Sequence, residues 1–180
     1  MTSKPSVYPD LLITLPAVLL ISLGILVIYS SDPRLALLQL LFAALGFSIY
    51  WFLSLINFEV YNNYVHYLYF GILILLLVVF LIGVETRGST RWIQLFGLQF
   101  QPSEIAKPIL ILFLAKYWSS HSATWKNIAV SFLWILPVAG LIFKQPDLGT
   151  TLTLLMIWLV MLVGANISPV KLAVMGFTSL

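Results

Sequence analysis

Two short polar segments of the chain carry charged residues at spacings that could support chemistry. In the first, Gln101 to Lys107, the residues Glu104 and Lys107 are three positions apart. On a helix that spacing places a carboxylate and an ammonium group on one face, where they can pair. Inside a membrane such a pair marks an interior site or a water-filled cavity, and the alternative is a helix end capped by Ser103 with a lysine that snorkels to the interface. The spacing leaves both interpretations open.

The second segment, Lys144 to Thr150, contains Asp147 between Pro146 and Leu148. Asp147 is a suitable N-cap for a following helix, because its carboxylate can accept hydrogen bonds from the free N–H groups of the first turn. The same carboxylate could instead contribute to a polar site together with Lys144. The residue types alone do not decide between a cap and a site.

A third polar stretch, residues 85–101, interleaves charged and aromatic residues, among them Arg87, Arg91, Trp92 and Gln101. Apolar and polar residues alternate in 93–95 and 98–100 around Gly97, which predicts a small β-hairpin lying in the membrane interface. Two arginines on such a hairpin could pair with a phosphate, because the guanidinium fork matches its oxygens. Ordinary lipid headgroups present the same phosphate chemistry, so a substrate site is only one of two interpretations.

The elements that position these residues must lie in a bilayer. The 180-residue chain has 9 Lys or Arg and 6 Asp or Glu, so 8% of its residues are charged, while 61% are apolar. An ordinary soluble domain carries roughly 25% charged residues. The composition therefore excludes a soluble globule, and a net charge of +3 spread along the chain gives no reason to expect nucleic-acid binding.

The spans follow from length, because about 20 apolar residues cross a bilayer as a helix that satisfies its own backbone. The sequence predicts an all-α, polytopic membrane helix bundle with six complete transmembrane helices, at residues 11–29, 35–56, 64–84, 103–118, 128–143 and 150–164. A truncated seventh begins at residue 169. Residues 1–180 are predicted to form a single membrane domain without a separate soluble domain, and the apolar run at the end predicts a fragment of a longer protein.

The positive-inside rule does not set the orientation, because lysines and arginines are nearly balanced between the two sides. With the N-terminus in the cytoplasm, the parity of the spans places the predicted hairpin, Glu104, Lys107, Lys144 and Asp147 together on the outer side. This convergence favours one outward-facing polar site over several unrelated helix caps.

Three motifs in this order resemble the SEDS family (shape, elongation, division and sporulation), of which RodA and FtsW are well-known members. They are Arg87-Gly88-Ser89-Thr90-Arg91-Trp92-Ile93, Phe100-Gln101-Pro102-Ser103-Glu104-Ile105-Ala106-Lys107 and Gln145-Pro146-Asp147-Leu148-Gly149-Thr150. The resemblance covers nearly the whole chain and about the first half of a family member. It implies the N-terminal portion of a ten-helix fold in the bacterial cytoplasmic membrane, with the N-terminus in the cytoplasm.

The resemblance implies a peptidoglycan glycosyltransferase acting in cell elongation or division. Such an enzyme polymerises lipid II, the lipid-linked disaccharide-pentapeptide precursor, into glycan strands at the outer face of the membrane, and its partner is a class B penicillin-binding protein. By the same resemblance, Glu104, Lys107 and Asp147 match positions lining the family's central cavity. The residues that match the family's second external loop are Arg91, Trp92 and Gln101.

The implied mechanism is inverting glycosyl transfer, in which a carboxylate deprotonates the acceptor's 4-hydroxyl and lipid pyrophosphate leaves. The family's catalytic aspartate lies beyond residue 180, so this chain is expected to bind and orient substrate and to be inactive alone. The cations Arg87, Arg91 and Lys107 would stabilise the departing pyrophosphate. A divalent metal, Mg or Mn, held by Glu104 and Asp147 is a further expectation.

Two other functions fit the same residues. One is a transporter (flippase) of lipid-linked cell-wall precursor, since intramembrane charges and broken helices suit a translocation path. The other is a non-catalytic subunit that keeps only the partner-binding surface.

Overall fold

The computed structural model describes residues 10–86, 89–95, 98–168 and 170–171. Within these residues, six helices and three short strands follow one another along the chain. Their bounds are α1 Leu11–Ser31, α2 Pro33–Ser54, α3 Phe58–Ile82, β1 Val84–Thr86, β2 Ser89–Leu95, β3 Leu98–Phe100, α4 Pro102–Ser120, α5 Trp125–Lys144 and α6 Leu148–Gly164.

The predicted all-α membrane bundle with six helices is confirmed. Among the described residues, α1, α2, α3 and α5 are long and apolar enough to cross a membrane. The 17-residue α6 is a shorter apolar helix, near the lower limit of the roughly 17–25 residues that span a bilayer. The 19-residue α4 is long enough but carries Glu104, Lys107 and Lys116, so it is less apolar than the other helices. Residues 170–171 are helical, and the rest of the predicted seventh segment lies outside the described residues.

Most of the predicted helix boundaries differ from the structure by one to six residues, and two of these differences have a clear physical reason. The N-cap position of α4 is Gln101, without a side-chain cap hydrogen bond, and Pro102 follows it as the first helical residue. The prediction that Ser103 caps this helix was therefore wrong, because proline at the first helical position, with its fixed φ, sets the start one residue earlier. The third span ends at Ile82 rather than at residue 84, since Val84 already belongs to β1.

The chain divides into two compact units, Met1–Val60 and Tyr61–Leu180. In the first, α1 and α2 form an antiparallel pair joined at Asp32, whose carboxylate accepts the N–H of Arg34 at 2.8 Å. The hydroxyl oxygens of Thr14, near the start of α1, and of Tyr50, near the end of α2, lie 2.8 Å apart. This hydrogen bond joins the two helices at the end far from Asp32. Of the side chains of α1 and α2, only Ala36 is buried, which suits helices whose apolar surface faces lipid.

The second unit packs α3, α4, α5 and α6 around a core of stacked aromatic and aliphatic side chains. The rings of Tyr69 and Phe113 stack with centroids 4.4 Å apart, and Phe113 lies 5.2 Å from Trp134. The Tyr69 hydroxyl donates to the Trp134 carbonyl at 2.6 Å, and Trp158 Nε1 donates to Ser131 Oγ at 2.9 Å. Each buried polar atom of these residues thus has a partner, as burial away from water requires.

The three strands form one antiparallel sheet in the order β1-β2-β3. Pairing of Ile93 with Phe100 and of Gln94 with Gln99 matches the hairpin that the alternation predicts. Strand β1, which pairs Val84 with Trp92, was not predicted. The sheet directly precedes α4 in the chain, and its middle strand β2 carries Arg91.

Candidate functional site

Asp147 is the N-cap of α6, as one of the two sequence interpretations predicts. Its Oδ1 accepts the backbone N–H of Thr150 at 3.1 Å, and its Oδ2 accepts the Thr150 hydroxyl at 2.9 Å. Its backbone carbonyl accepts the hydroxyl of Thr151 at 2.8 Å. Asp147 is only 5% exposed, so these local bonds replace water around a buried carboxylate.

The same carboxylate also receives groups from two distant parts of the chain. Arg91 Nη1 on β2 lies 3.3 Å from Asp147 Oδ1, and Gln101 Nε2 donates to Oδ2 at 3.0 Å. The Gln101 amide nitrogen donates as well to Ser103 Oγ at 2.9 Å. Asp147 therefore caps α6 and also joins three segments of the chain in one polar cluster, which we call the Asp147 cluster.

The ion pair in this cluster is asymmetric in its exposure to solvent. The Asp147 side chain is 7% exposed, whereas that of Arg91 is 31% exposed. The Arg91 Nε atom is buried and has no hydrogen-bond partner among the described residues. One end of the guanidinium group thus anchors the sheet to α6, while the exposed part of the side chain can still meet an anionic ligand.

A glutamine beside Asp147 fixes the corner between α5 and α6. Gln145 is 1% exposed, and its Nε2 donates to the backbone carbonyl of Leu76 on α3 at 3.0 Å. The backbone N–H of Asp147 donates to the carbonyl of Ile142 at 3.3 Å. These bonds hold the corner on both sides, so the Asp147 carboxylate has little freedom to turn away from Arg91.

Glu104 and Lys107 form the predicted pair on the first turns of α4. Lys107 Nζ donates to both carboxylate oxygens of Glu104 at 2.8 Å. The Lys107 side chain is 27% exposed and that of Glu104 is 56% exposed, and α4 runs unbroken through Pro108. The pair lies at the same end of α4 as Gln101, whose carbonyl accepts the backbone N–H of Glu104 at 3.1 Å, yet neither side chain of the pair is hydrogen-bonded to a described residue of the Asp147 cluster.

The remaining predicted site residues are Trp92, Lys144 and Arg87. Trp92 is half-buried on β2. Lys144 is exposed in the last turn of α5, where a cation interacts favourably with the helix dipole, and it makes no ion pair with a described residue. Arg87 lies outside the described residues. The structure therefore brings together Arg91, Gln101 and Asp147, and the substrate-binding role of all eight residues stays a prediction.

The two carboxylates do not fit a divalent cation. Both oxygens of Asp147 already accept two donors each, one of them from a guanidinium group. Both oxygens of Glu104 face the Lys107 ammonium group. Among the described residues, no three His, Cys, Asp or Glu side chains cluster as metal ligands would. Asp147 therefore has no free lone pair for Mg²⁺ or Mn²⁺, and Glu104 could offer its remaining lone pairs only beside an ammonium group that would repel the metal.

Three residues at this site were not predicted from the sequence to take part in it: Thr150, Ser103 and Gln145. Thr150 could have been found, because Asp147 and Thr150 have the three-residue spacing of an N-cap and its reciprocal partner. Ser103 was predicted only as a helix cap, and the type and spacing of Gln145 predict no contact with this cluster. Their roles depend on which segments meet in space, and the local sequence does not encode that.

We expect Thr150→Val to destabilise the protein by about 1.5–3 kcal/mol, the usual value for a hydrogen bond to a charged group. Valine keeps the shape of the side chain but removes the hydroxyl that donates to Asp147 Oδ2. Unfolding by sodium dodecyl sulfate in mixed micelles, followed by circular dichroism, measures the change. The matched control is Thr153→Val, since that exposed hydroxyl donates only to the Gly149 carbonyl of its own helix; equal losses in the two variants would contradict the prediction.

Comparison with known proteins identifies relatives of this chain. Residues 6–180 match the FtsW/RodA/SpoVE family, which is described as cell cycle protein. The chain is 34% identical over 152 residues to the peptidoglycan glycosyltransferase MrdB of Helicobacter pylori, covering 78% of this chain and 40% of that protein. The chain spans about half the length of the curated relatives it matches.

Two solved structures share the fold. A chain from a peptidoglycan synthase complex that coordinates polymerization and crosslinking superposes with a TM-score of 0.87 at 30% identity, covering 94% of this chain and 51% of that one. The crystal structure of the rod shape determining protein RodA of Thermus thermophilus superposes with a TM-score of 0.83 at 31% identity, covering 94% and 57%. Similarity therefore extends over nearly all of this chain and over half of each neighbour.

Proposed function

The chain belongs to the SEDS family of FtsW, RodA and SpoVE proteins, and from that premise we propose that it is part of a multi-pass bacterial membrane enzyme that polymerises lipid II into peptidoglycan glycan strands. The single observation that carries the proposal is the Asp147 cluster, in which a buried carboxylate joins an arginine-bearing sheet to the ends of two membrane helices. The name of the Helicobacter pylori relative supports the same activity. Elongation and division are both compatible with these residues.

The chemistry proposed for the enzyme is inverting glycosyl transfer. A carboxylate removes the proton from the acceptor's 4-hydroxyl, the resulting oxygen attacks the anomeric carbon of the donor, and the bond to lipid pyrophosphate breaks. Asp147 is unsuited to take that proton, because four donors already occupy its two oxygens. We assign Asp147 to positioning, and the proton-accepting carboxylate to a residue outside this chain.

The cations of the site have a separate role in this proposal. Lys107 is one-quarter exposed and is held by Glu104, and Arg91 is 31% exposed and is held by Asp147. Positively charged donors fixed in advance stabilise a departing pyrophosphate better than mobile ones, because no reorganisation is needed as charge develops. No step of this chemistry passes through a metal, since the described carboxylates do not fit one.

Orientation and partner belong to the same proposal. We place the N-terminus in the cytoplasm, so that the Asp147 cluster and the sheet lie at the outer face, where the glycan strand grows. The partner we propose is a class B penicillin-binding protein. Structural similarity to a chain of a complex that coordinates polymerization and crosslinking supports such a partner.

The test is reconstitution of the protein that carries this chain, in liposomes with fluorescently labelled lipid II and a class B penicillin-binding protein. Glycan strands that a muramidase digests are the expected product, and we expect residues 1–180 by themselves to form none. Movement of lipid II across the bilayer without polymer would instead favour the transporter, and binding of the partner without either reaction would favour a non-catalytic subunit. Either of these two outcomes overturns the proposal.

A further inference from the structure

A cavity with a lysine on its wall lies at the opposite end of the helices from Asp147. Its volume is about 260 Å³, and α3, α4 and α5 contribute its walls, including His66, Phe113, Lys116, His121 and Trp134. Lys116 is 13 residues beyond Ser103 on α4, roughly 20 Å along the helix axis at 1.5 Å per residue. The cavity is therefore at the other membrane interface and is separate from the cluster around Asp147.

The rim of this cavity carries one lysine whose ammonium group is only partly hydrogen-bonded. Lys116 Nζ donates to the backbone carbonyl of Asn62, which leaves two of its three protons without a described partner, and it forms no ion pair with any described carboxylate. His121 Nδ1 lies 2.8 Å from the Tyr117 carbonyl and 3.2 Å from Ser120 Oγ, so groups of its own segment satisfy this ring nitrogen. A cation with free donors and no counter-ion at a membrane interface is a site for an anionic group.

The floor of the cavity is aromatic rather than polar. Phe113 and Trp134 form it, and the His66 ring meets Phe113 edge-on with centroids 5.4 Å apart. At the rim, the His121 ring stacks on Tyr117 at 4.3 Å and 6°. An apolar floor below a cationic rim fits an amphiphile, since a free phosphate ion would leave the aromatic surface uncovered.

We propose that this cavity binds the headgroup of an anionic glycerophospholipid, with the phosphate at Lys116 and the glycerol and first methylenes on Phe113 and Trp134. Basic pockets between transmembrane helices commonly hold such headgroups. The cavity is slightly smaller than the roughly 300–1,000 Å³ of sites for drug-sized ligands, which is appropriate for a headgroup whose chains remain in the bilayer. The proposal does not depend on the glycosyltransferase function.

The test measures which lipid stays bound to the purified protein. The protein is incubated in detergent with equal amounts of dioleoyl phosphatidylglycerol and dioleoyl phosphatidylcholine, and native mass spectrometry gives the ratio of the two bound lipids. We expect phosphatidylglycerol to be preferred, and Lys116→Gln to weaken that preference about five-fold, which corresponds to one basic residue near the surface. Lys116→Arg, which keeps the charge, should keep the preference.

Lys126→Gln is the matched control, because Lys126 is an exposed lysine in the first turn of α5, at the same end of the helix bundle as Lys116 and outside the cavity. Equal losses in Lys126→Gln and Lys116→Gln would show general attraction to positive charge and overturn the proposal. Displacement of the lipid by excess inorganic phosphate would identify a free-phosphate site and also overturn it.

A second measurement does not depend on the charge variant folding correctly. Phosphatidylglycerol with brominated acyl chains should quench the fluorescence of the protein, and Trp134→Phe should remove part of that quenching while leaving quenching by brominated phosphatidylcholine unchanged. If Trp134→Phe changed neither, the lipid would lie elsewhere and the cavity would not be its site.

Discussion

Replacing Lys107 with alanine should lower lipid II polymerisation by about 100-fold or more, the usual effect of removing one fixed donor from developing negative charge. Lys107 Nζ is held by both oxygens of Glu104 at 2.8 Å and is still partly exposed. It can therefore contact a pyrophosphate without first losing its hydrogen bonds to Glu104. The rate of glycan formation in proteoliposomes measures the effect. Stability should change by less than about 1 kcal/mol, because exposed pairs contribute little.

Two further variants separate the charge of Lys107 from its position. Lys107→Arg should retain part of the activity, since the charge remains and only the geometry changes. Lys126→Ala removes an exposed lysine at the opposite end of the bundle and should leave the rate unchanged. Polymerisation within two-fold of the wild type in Lys107→Ala would show that this lysine does not act on the substrate.

The parts of the fold that the sequence predicts are those set by local pattern. Helix positions follow from apolar length, and the hairpin of β2 and β3 follows from alternation around a glycine. The cap at Asp147 follows from its residue type, and the pairing of Glu104 with Lys107 follows from their spacing. In each case the interaction joins residues only a few positions apart, so its pattern is visible in the sequence.

The parts that escape prediction depend on contacts between distant segments. Gln101 reaches Asp147 across 46 positions, and Gln145 reaches the Leu76 carbonyl across 69. No periodicity encodes either contact. Strand β1 was missed for a different reason: Val84 continues an apolar run, so only its pairing with Trp92 separates it from the helix before it.

Asp147→Ala should be the most destabilising of the substitutions considered, costing about 3–5 kcal/mol. The variant removes more than a helix cap: it leaves the Arg91 guanidinium, the Gln101 amide and the Thr150 hydroxyl without the acceptor they share. Breaking a buried ion pair by deleting one partner has this cost because the other charge stays desolvated. Since Arg91 is 31% exposed and can recover some hydration, the lower end of the range is expected.

Asp10→Ala is the matched control for this loss, because Asp10 caps α1 through a single bond to the N–H of Leu12 at 2.9 Å and is exposed. Its substitution should cost about 0.5–2 kcal/mol, as caps do. Asp147→Asn should fall between the two, since asparagine keeps an oxygen for the cap and loses the charge that faces Arg91. Unfolding in mixed micelles measures all three variants under one condition. If Asp147→Ala cost no more than Asp10→Ala, Asp147 would act as a helix cap alone, and the sheet that carries Arg91 would have to be held in place by its other contacts.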